Sequence, residues 1–257
     1  MFQRVLARIG PSAGWVLKGG FCLEVRFDLA SRATKDLDLV AATGWGEHGA
    51  LDLQDEFDAV LAVDSEDDGF RFAVGMPRSV HVDSRETWRV PLEAIYDGRV
   101  FAQVRIDIVV QYGEVVGGVE ELLVPAPSAL SELAPARVLA VDVNQHAAEK
   151  IHAYSRIYAH DQPSSRVKDL VDLVLLIESG VLDPQRLWRR LVTVHTERDG
   201  VPPPSDLPAP PVAWQRDYAD LLSEHALDVA ATTATSAHQL LAAHYAATIA
   251  AAKGTSQ

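Results

Sequence analysis

The chain has 257 residues, 48% of them hydrophobic, which is enough for one large domain or two modest ones with a substantial core. Its 23 basic and 36 acidic residues leave a formal net charge of −13. That balance argues against a broad basic surface for nonspecific nucleic-acid binding, though not against a local basic cleft. A single cysteine, Cys22, excludes an internal disulfide and a cysteine-based metal site. Met1 to Gly10 lacks the apolar core of a signal peptide and no stretch approaches transmembrane length, so a cytoplasmic location away from membranes is expected.

In chain order, residues 2–9 read as a short amphipathic helix stopped by Gly10-Pro11. Trp15-Val16-Leu17 is a short apolar strand meeting Gly19-Gly20; a helix-like segment follows to about Leu29, then a strand containing Asp36 and Asp38. On a strand, side chains at i and i+2 share a face, so these two carboxylates sit side by side. Such a pair is costly unless a cation holds it. Two hard carboxylates on a rigid strand suit a Mg2+ ion that is itself bound to nucleotide phosphates, and glycines nearby let backbone amides approach those phosphates. The ordinary alternative for Asp-x-Asp is a solvated strand end.

The Gly44-Trp45-Gly46 turn leads to a helix over Leu51 to Val63, closed by an acidic turn from Asp64 to Gly69. From Phe70 to Val110 four strand-like runs are separated by turn residues, which predicts an antiparallel meander extending the first sheet. In the last run a lone carboxylate, Asp107, interrupts a buried-type pattern; a neighbouring strand that brought it to Asp36 and Asp38 would make it a third metal ligand, and the ordinary alternative is a strand-end Asp meeting solvent or a backbone amide.

Val124-Pro125-Ala126-Pro127 marks a boundary before an all-helical half. Helices are expected over Asn144 to Tyr158, Arg166 to Ile177 and Pro184 to Val194. Residues 199–211 contain six prolines and read as an extended, exposed linker. Two more helices, Trp214 to Leu227 and Ser236 to Ala252, finish the chain, with Ser236 as N-cap of the second. His146, His152 and His160 lack a convincing metal-ligand spacing and read as structural or solvated.

Lys18-Gly19-Gly20, Leu23 and Arg26, and then Arg32-x-Thr34-x-Asp36-x-Asp38 resemble the opening motif of the AbiEii/AbiGii-type nucleotidyltransferase toxins. That family is a branch of the DNA-polymerase-β-like nucleotidyltransferase superfamily. Phe21 departs from its pattern, standing where a Ser or Thr is usual. Ala148-Glu149-Lys150 and Arg166-x-Lys168-Asp169-x-x-Asp172-Leu173 resemble the family's later motifs, in the same order, so the likeness covers residues 15–177.

The resemblance implies an α+β fold: an N-terminal nucleotidyltransferase mixed sheet with flanking helices over residues 1–123, and a helical domain over 124–257 that completes the active cleft. It implies a Mg2+-dependent transfer, with Mn2+ as an alternative ion, of a nucleoside monophosphate from a nucleoside triphosphate to an acceptor hydroxyl. Asp36, Asp38 and Asp107 are then the metal ligands. Lys18, Gly19, Gly20, Arg32, Thr34, Lys150, Arg166 and Lys168 border the nucleotide, and either Asp169 or Asp172 completes the site. The implied acceptor is an RNA or tRNA 3′ end, and the implied partner is a cognate antitoxin of a toxin-antitoxin or phage-defence pair. Two rivals stand beside this reading: a small-molecule nucleotidyltransferase of the antibiotic-modifying type, and a non-catalytic relative that binds nucleotide or a partner.

Overall fold

The computed structural model describes residues 1–10, 14–27, 36–41, 49–63, 67–82, 85–109, 118–126, 130, 132–156 and 166–254. Arg32, Thr34, the Gly44 to Gly46 turn, Pro163 and His160 lie outside the described residues. The described chain divides into two compact units, Met1–Val141 and Asp142–Gln257. Among the described residues no helix is long and apolar enough to cross a membrane.

The first unit begins with α1 (Phe2–Ile9), β1 (Val16–Lys18), α2 (Gly19–Phe27), β2 (Asp36–Val40) and α3 (Ala50–Leu61). It continues as strands: β3 (Phe70–Val74), β4 (Arg78–Val82), β5 (Arg85–Tyr96), β6 (Arg99–Val109), β7 (Val119–Val124) and β8 (Ala136–Val141). They form one mixed sheet in the order β3-β5-β6-β2-β1-β8-β7, with β4 also paired to β5. The expected meander is therefore modified. β5 is twelve residues long and holds β4 along one half and β3 along the other, both antiparallel.

The larger correction concerns β7 and β8, which the sequence reading left without structure. β8 pairs parallel with β1 and antiparallel with β7, so the chain returns to the sheet's interior after the Pro125 boundary. The first unit ends at Val141. Pro125 directly follows the end of β7, where a missing N–H costs no ladder bond.

Alternation along the strands separates two faces. Leu37 and Leu39 of β2, Ile106 and Ile108 of β6, and Val90 and Leu92 of β5 are buried in one cluster with Val5, Leu6 and Ile9 of α1 and with Leu53, Phe57 and Leu61 of α3. The other face of β2 carries Asp36 and Asp38. Two arginines one helical turn apart fix α1. Arg8 donates twice to Asp68 at 2.8 Å, Arg4 lies 3.1 Å from the same carboxylate, and Arg8 caps the Phe72 ring at 4.8 Å.

The second unit is helical: α4 (Val143–Ser155), α5 (Val167–Glu178), α6 (Pro184–Asp199), α7 (Trp214–Glu224) and α8 (Ala234–Gly254). Asp142 caps α4 by accepting from the N–H groups of Asn144 and Gln145, and Asp183 caps α6 by accepting from that of Arg186. Pro184 at the first position and Gly200 in the left-handed conformation at the end complete the stop signals of α6. For α8 the cap is Thr233, not Ser236: Thr233 Oγ1 accepts from the Ser236 N–H at 3.1 Å and Ser236 Oγ from the Thr233 N–H at 3.0 Å. Ala234, Ala237, Leu241, Tyr245 and Thr248 form its buried stripe.

The proline-rich stretch is a strap rather than a free linker. Tyr154 of α4 donates to the Pro208 carbonyl at 2.8 Å and Tyr245 of α8 to that of Pro204 at 2.7 Å, while Pro203 and Leu207 are buried. Prolines cannot pair with one another, but their carbonyls accept well, and two tyrosines supply the donors.

The Asp68 contacts carry a pH dependence. Burial alone would raise its proton affinity, but hydrogen bonds from Arg8 and the Phe70 N–H, together with the charges of Arg8 and Arg4, hold the carboxyl below the usual range. The unfolded chain therefore binds more protons here than the folded one. Stabilisation is present above pH ~3.9 and is lost as pH falls through the lower folded value. We expect Asp68→Asn to lower stability at neutral pH and to flatten the acid limb of a urea-unfolding series below pH ~4.

Candidate active site

β2 and β6 pair in parallel with Asp36 opposite Arg105, Leu37 opposite Ile106 and Asp38 opposite Asp107. The three acids named from sequence thus occupy one face of two neighbouring strands, with the apolar residues between them turned to the core. Asp36 and Asp38 are one pleat apart, and Asp107 is the cross-strand neighbour of Asp38.

Their immediate partners are two arginines that the sequence reading did not select. Arg89 of β5 donates from Nε to Asp107 Oδ1 at 3.0 Å and from Nη2 to Oδ2 at 2.9 Å, a bidentate pair. Arg105 pairs with Asp36 and also lies 3.6 Å from Asp107. A signal for Arg105 existed, since it precedes Asp107 by two residues on one strand and must share its face. Arg89 had none, because the β5–β6 register alone brings it opposite Asp107.

Asp38 sits against the N-terminus of α2. Gly19 has φ of +69°, and a Cβ there would fall 1.9 Å from Asp38 Oδ2. Both the backbone conformation and the space therefore require glycine. Helix N-termini carry exposed N–H groups and partial positive charge, a natural setting for an anion. Lys18, last residue of β1, is the antiparallel register partner of Asp38. Phe21, the departure from the family's usual residue, turns toward α1 and meets Phe2 edge-on at 5.1 Å. Gly20 is half-buried in the first turn of α2.

The donor set suits Mg2+. All three groups are hard carboxylates, and Asp36 has a side chain 36% exposed that leaves room for retained waters. Arg89 and Arg105 do not preclude this, since each carboxylate oxygen has two lone pairs and can accept an N–H while facing a cation.

In the second unit, Lys150 of α4 is buried and donates to Asp172 Oδ2 at 2.6 Å and to Asp169 Oδ1 at 3.0 Å, both on α5. The i, i+3 spacing of the two acids places them together on the helix face toward Lys150. The sequence left open which one mattered, and both hold the ammonium. Burial pushes the lysine's proton affinity down, but the charges of Asp172 and Asp169 and their hydrogen bonds outweigh it and keep the group charged. Arg166 is the residue preceding α5, and Lys168 is exposed on its first turn.

A mixed sheet that carries paired acids beside a glycine turn at a helix N-terminus is an arrangement suited to nucleotidyl transfer. The profile of the family described as "Nucleotidyl transferase AbiEii toxin, Type IV TA system" matches residues 2–243, and the chain belongs to that family. Among solved structures it resembles MenT4, a nucleotidyltransferase toxin from Mycobacterium tuberculosis H37Rv. The likeness has a TM-score of 0.53 at 17% identity, covering 98% of this chain and 90% of the other. No curated protein matches the chain in sequence.

Two substitutions test this geometry. Gly19→Ala should cost at least ~1–3 kcal/mol by imposing a side chain on a positive φ and on Asp38, read as a lower urea midpoint. Lys150→Met strands the buried Asp172 and the partly buried Asp169 and should cost about 3–5 kcal/mol by the same measurement, and adding Asp172→Asn should recover part of the loss.

Proposed function

We propose that this nucleotidyltransferase moves a nucleoside monophosphate from a nucleoside triphosphate to the 3′ end of an RNA, tRNA being the favoured acceptor. It would act as the toxin of a toxin-antitoxin or phage-defence pair whose partner is a separate antitoxin protein. The observation that carries this reading is the register placing Asp38 opposite Asp107, with Gly19 opening the start of α2 beside Asp38. Membership of a toxin-antitoxin family supports the partner.

Asp36, Asp38 and Asp107 would hold Mg2+, with Mn2+ an acceptable substitute; when bound, the ion would supply Lewis-acid charge for the attacking and leaving oxygens. Arg89 and Arg105 keep Asp107 and Asp36 oriented. Lys18, Gly19 and Gly20 border the triphosphate at the N-terminus of α2, and Arg32 and Thr34 are assigned to the same substrate. Within the helical unit Lys150 is a cation fixed by Asp169 and Asp172, and Lys150, Arg166 and Lys168 are assigned to the nucleotide from the family's motifs alone.

In the reaction the acceptor hydroxyl oxygen forms a bond to the α-phosphorus as the bond from that phosphorus to the bridging oxygen breaks, and pyrophosphate leaves. Asp107 takes the hydroxyl proton and returns it to solvent. The strongly acidic composition keeps a second reading in view, transfer to a cationic small molecule, because a net charge of −13 attracts cations more readily than RNA.

Purified chain incubated with each labelled nucleoside triphosphate, Mg2+ and total RNA should label RNA, and Asp38→Ala should reduce that labelling by at least ~1000-fold. Label appearing only on small molecules would favour the second reading. Labelling equal in the wild type and in Asp38→Ala, or absent with every donor, would remove the site described here.

A further inference from the structure

α4 and α6 run side by side in the same direction. Near their N-termini Arg186 donates to Asp142 at 2.8 Å and the Asp183 N–H donates to the Asn144 side chain at 2.9 Å. Near their C-termini His152 meets Asp199 at 2.8 Å. Two helices therefore end together, and their unpaired carbonyls make that end negative. Asp199, the last residue of α6, adds a carboxylate where a cation would ordinarily stand.

One turn before Asp199 on the same helix face is His195. Its ring lies edge-on to that of His152, with centroids 4.8 Å apart. One ring nitrogen of each histidine and one oxygen of Asp199 all lie within 4.8 Å of one another. His195 is only 4% exposed, and its Nε2 has no hydrogen-bond partner. A polar atom buried without a partner costs ~1–3 kcal/mol, so its retention calls for a reason.

We propose that His152, His195 and Asp199 form a Zn2+ site that clamps the C-terminal turns of α4 and α6, with water completing a tetrahedral set on the partly exposed side of Asp199. Two imidazoles and one carboxylate favour Zn2+ over Mg2+, which prefers all-oxygen ligands. Imidazoles bind a metal ion in their neutral form, so metal uptake at this cluster should be pH-dependent. Arg198 and Arg156 are the nearby cations, and Arg198 is compensated by Glu149 at 3.3 Å. Zinc here would fix the last turn of α4, the helix that also carries Lys150.

The spacing of histidines along α4 alone gives His152 no ligand partners. His195 and Asp199 are the i, i+4 pair that completes the set, from a different helix.

The test uses the untagged full-length chain, stripped with a chelator and titrated with ZnCl2 against a chromophoric zinc indicator. Expected are a single equivalent bound with Kd of about 1 μM or tighter, a raised Tm, and no displacement by millimolar Mg2+. Asp199→Asn, nearly isosteric and still able to bond His152, and His195→Asn should each weaken binding at least ~100-fold. The zinc K-edge spectrum should show nitrogen and oxygen donors with imidazole scattering and no sulfur. Uptake no tighter than ~100 μM, uptake unchanged by both substitutions, or a spectrum without imidazole overturns the proposal. None of these readouts depends on nucleotide transfer, so the zinc site and the proposed reaction can fail separately.

Discussion

Everything at the acidic face depends on one register, the parallel pairing of β2 with β6. Because side chains alternate with a period of two, a slip of one residue would send Asp107 into the core and bring Ile106 or Ile108 out beside Asp38. What forbids the slip lies on the opposite face, where Leu37, Leu39, Ile106 and Ile108 are all at most 1% exposed beneath α1 and α3. Burial of four aliphatic side chains is thus the force that aligns the carboxylates. Asp38 and Asp107, directly opposite, repel one another, while Asp36 bonds Arg105 across the same two strands.

The charges are then managed locally. In the sheet unit Asp107 and Asp36 are met by Arg89 and Arg105; in the helical unit two acids share one lysine. A guanidinium fork fixes the plane of a carboxylate in a way an ammonium cannot, which suits groups that must present lone pairs in a set direction. The ammonium of Lys150 is a compact point charge, and the carboxylates of Asp172 and Asp169 hold it ionised despite its burial. Elsewhere the same economy serves stability alone, as where Asp68 binds α1 through two arginines.

The helical unit is ordered by its caps and straps. Asp142 and Asp183 stabilise the positive ends of α4 and α6, and Arg186 links the two caps by bonding Asp142. Tyrosines 154 and 245 convert a proline-rich segment, incapable of regular pairing, into a covering layer by donating to its carbonyls. Parallel neighbouring helices place like ends together, which is unfavourable unless each end finds its counter-charge. Acidic caps supply it at one end, and at the other Arg156 and Arg198 stand beside the histidine pair and Asp199.

Periodicity and spacing in the sequence determined a good deal. Helices α1, α3, α5 and α6, the Gly19 turn, the Asp-x-Asp strand and the isolated acid of β6 were all legible, because each is a local pattern of burial or conformation. The family motifs were legible for the same reason. What the sequence could not reveal was pairing between distant segments. β8 joins β1 rather than belonging to a helical half, Arg89 reaches Asp107 through a strand register, and His195 finds His152 from another helix. Propensity and alternation act over a few residues and say which side of an element is buried. Which element lies next to it is decided only when the whole chain competes for the same core, and that competition chose the partners of every carboxylate at the site.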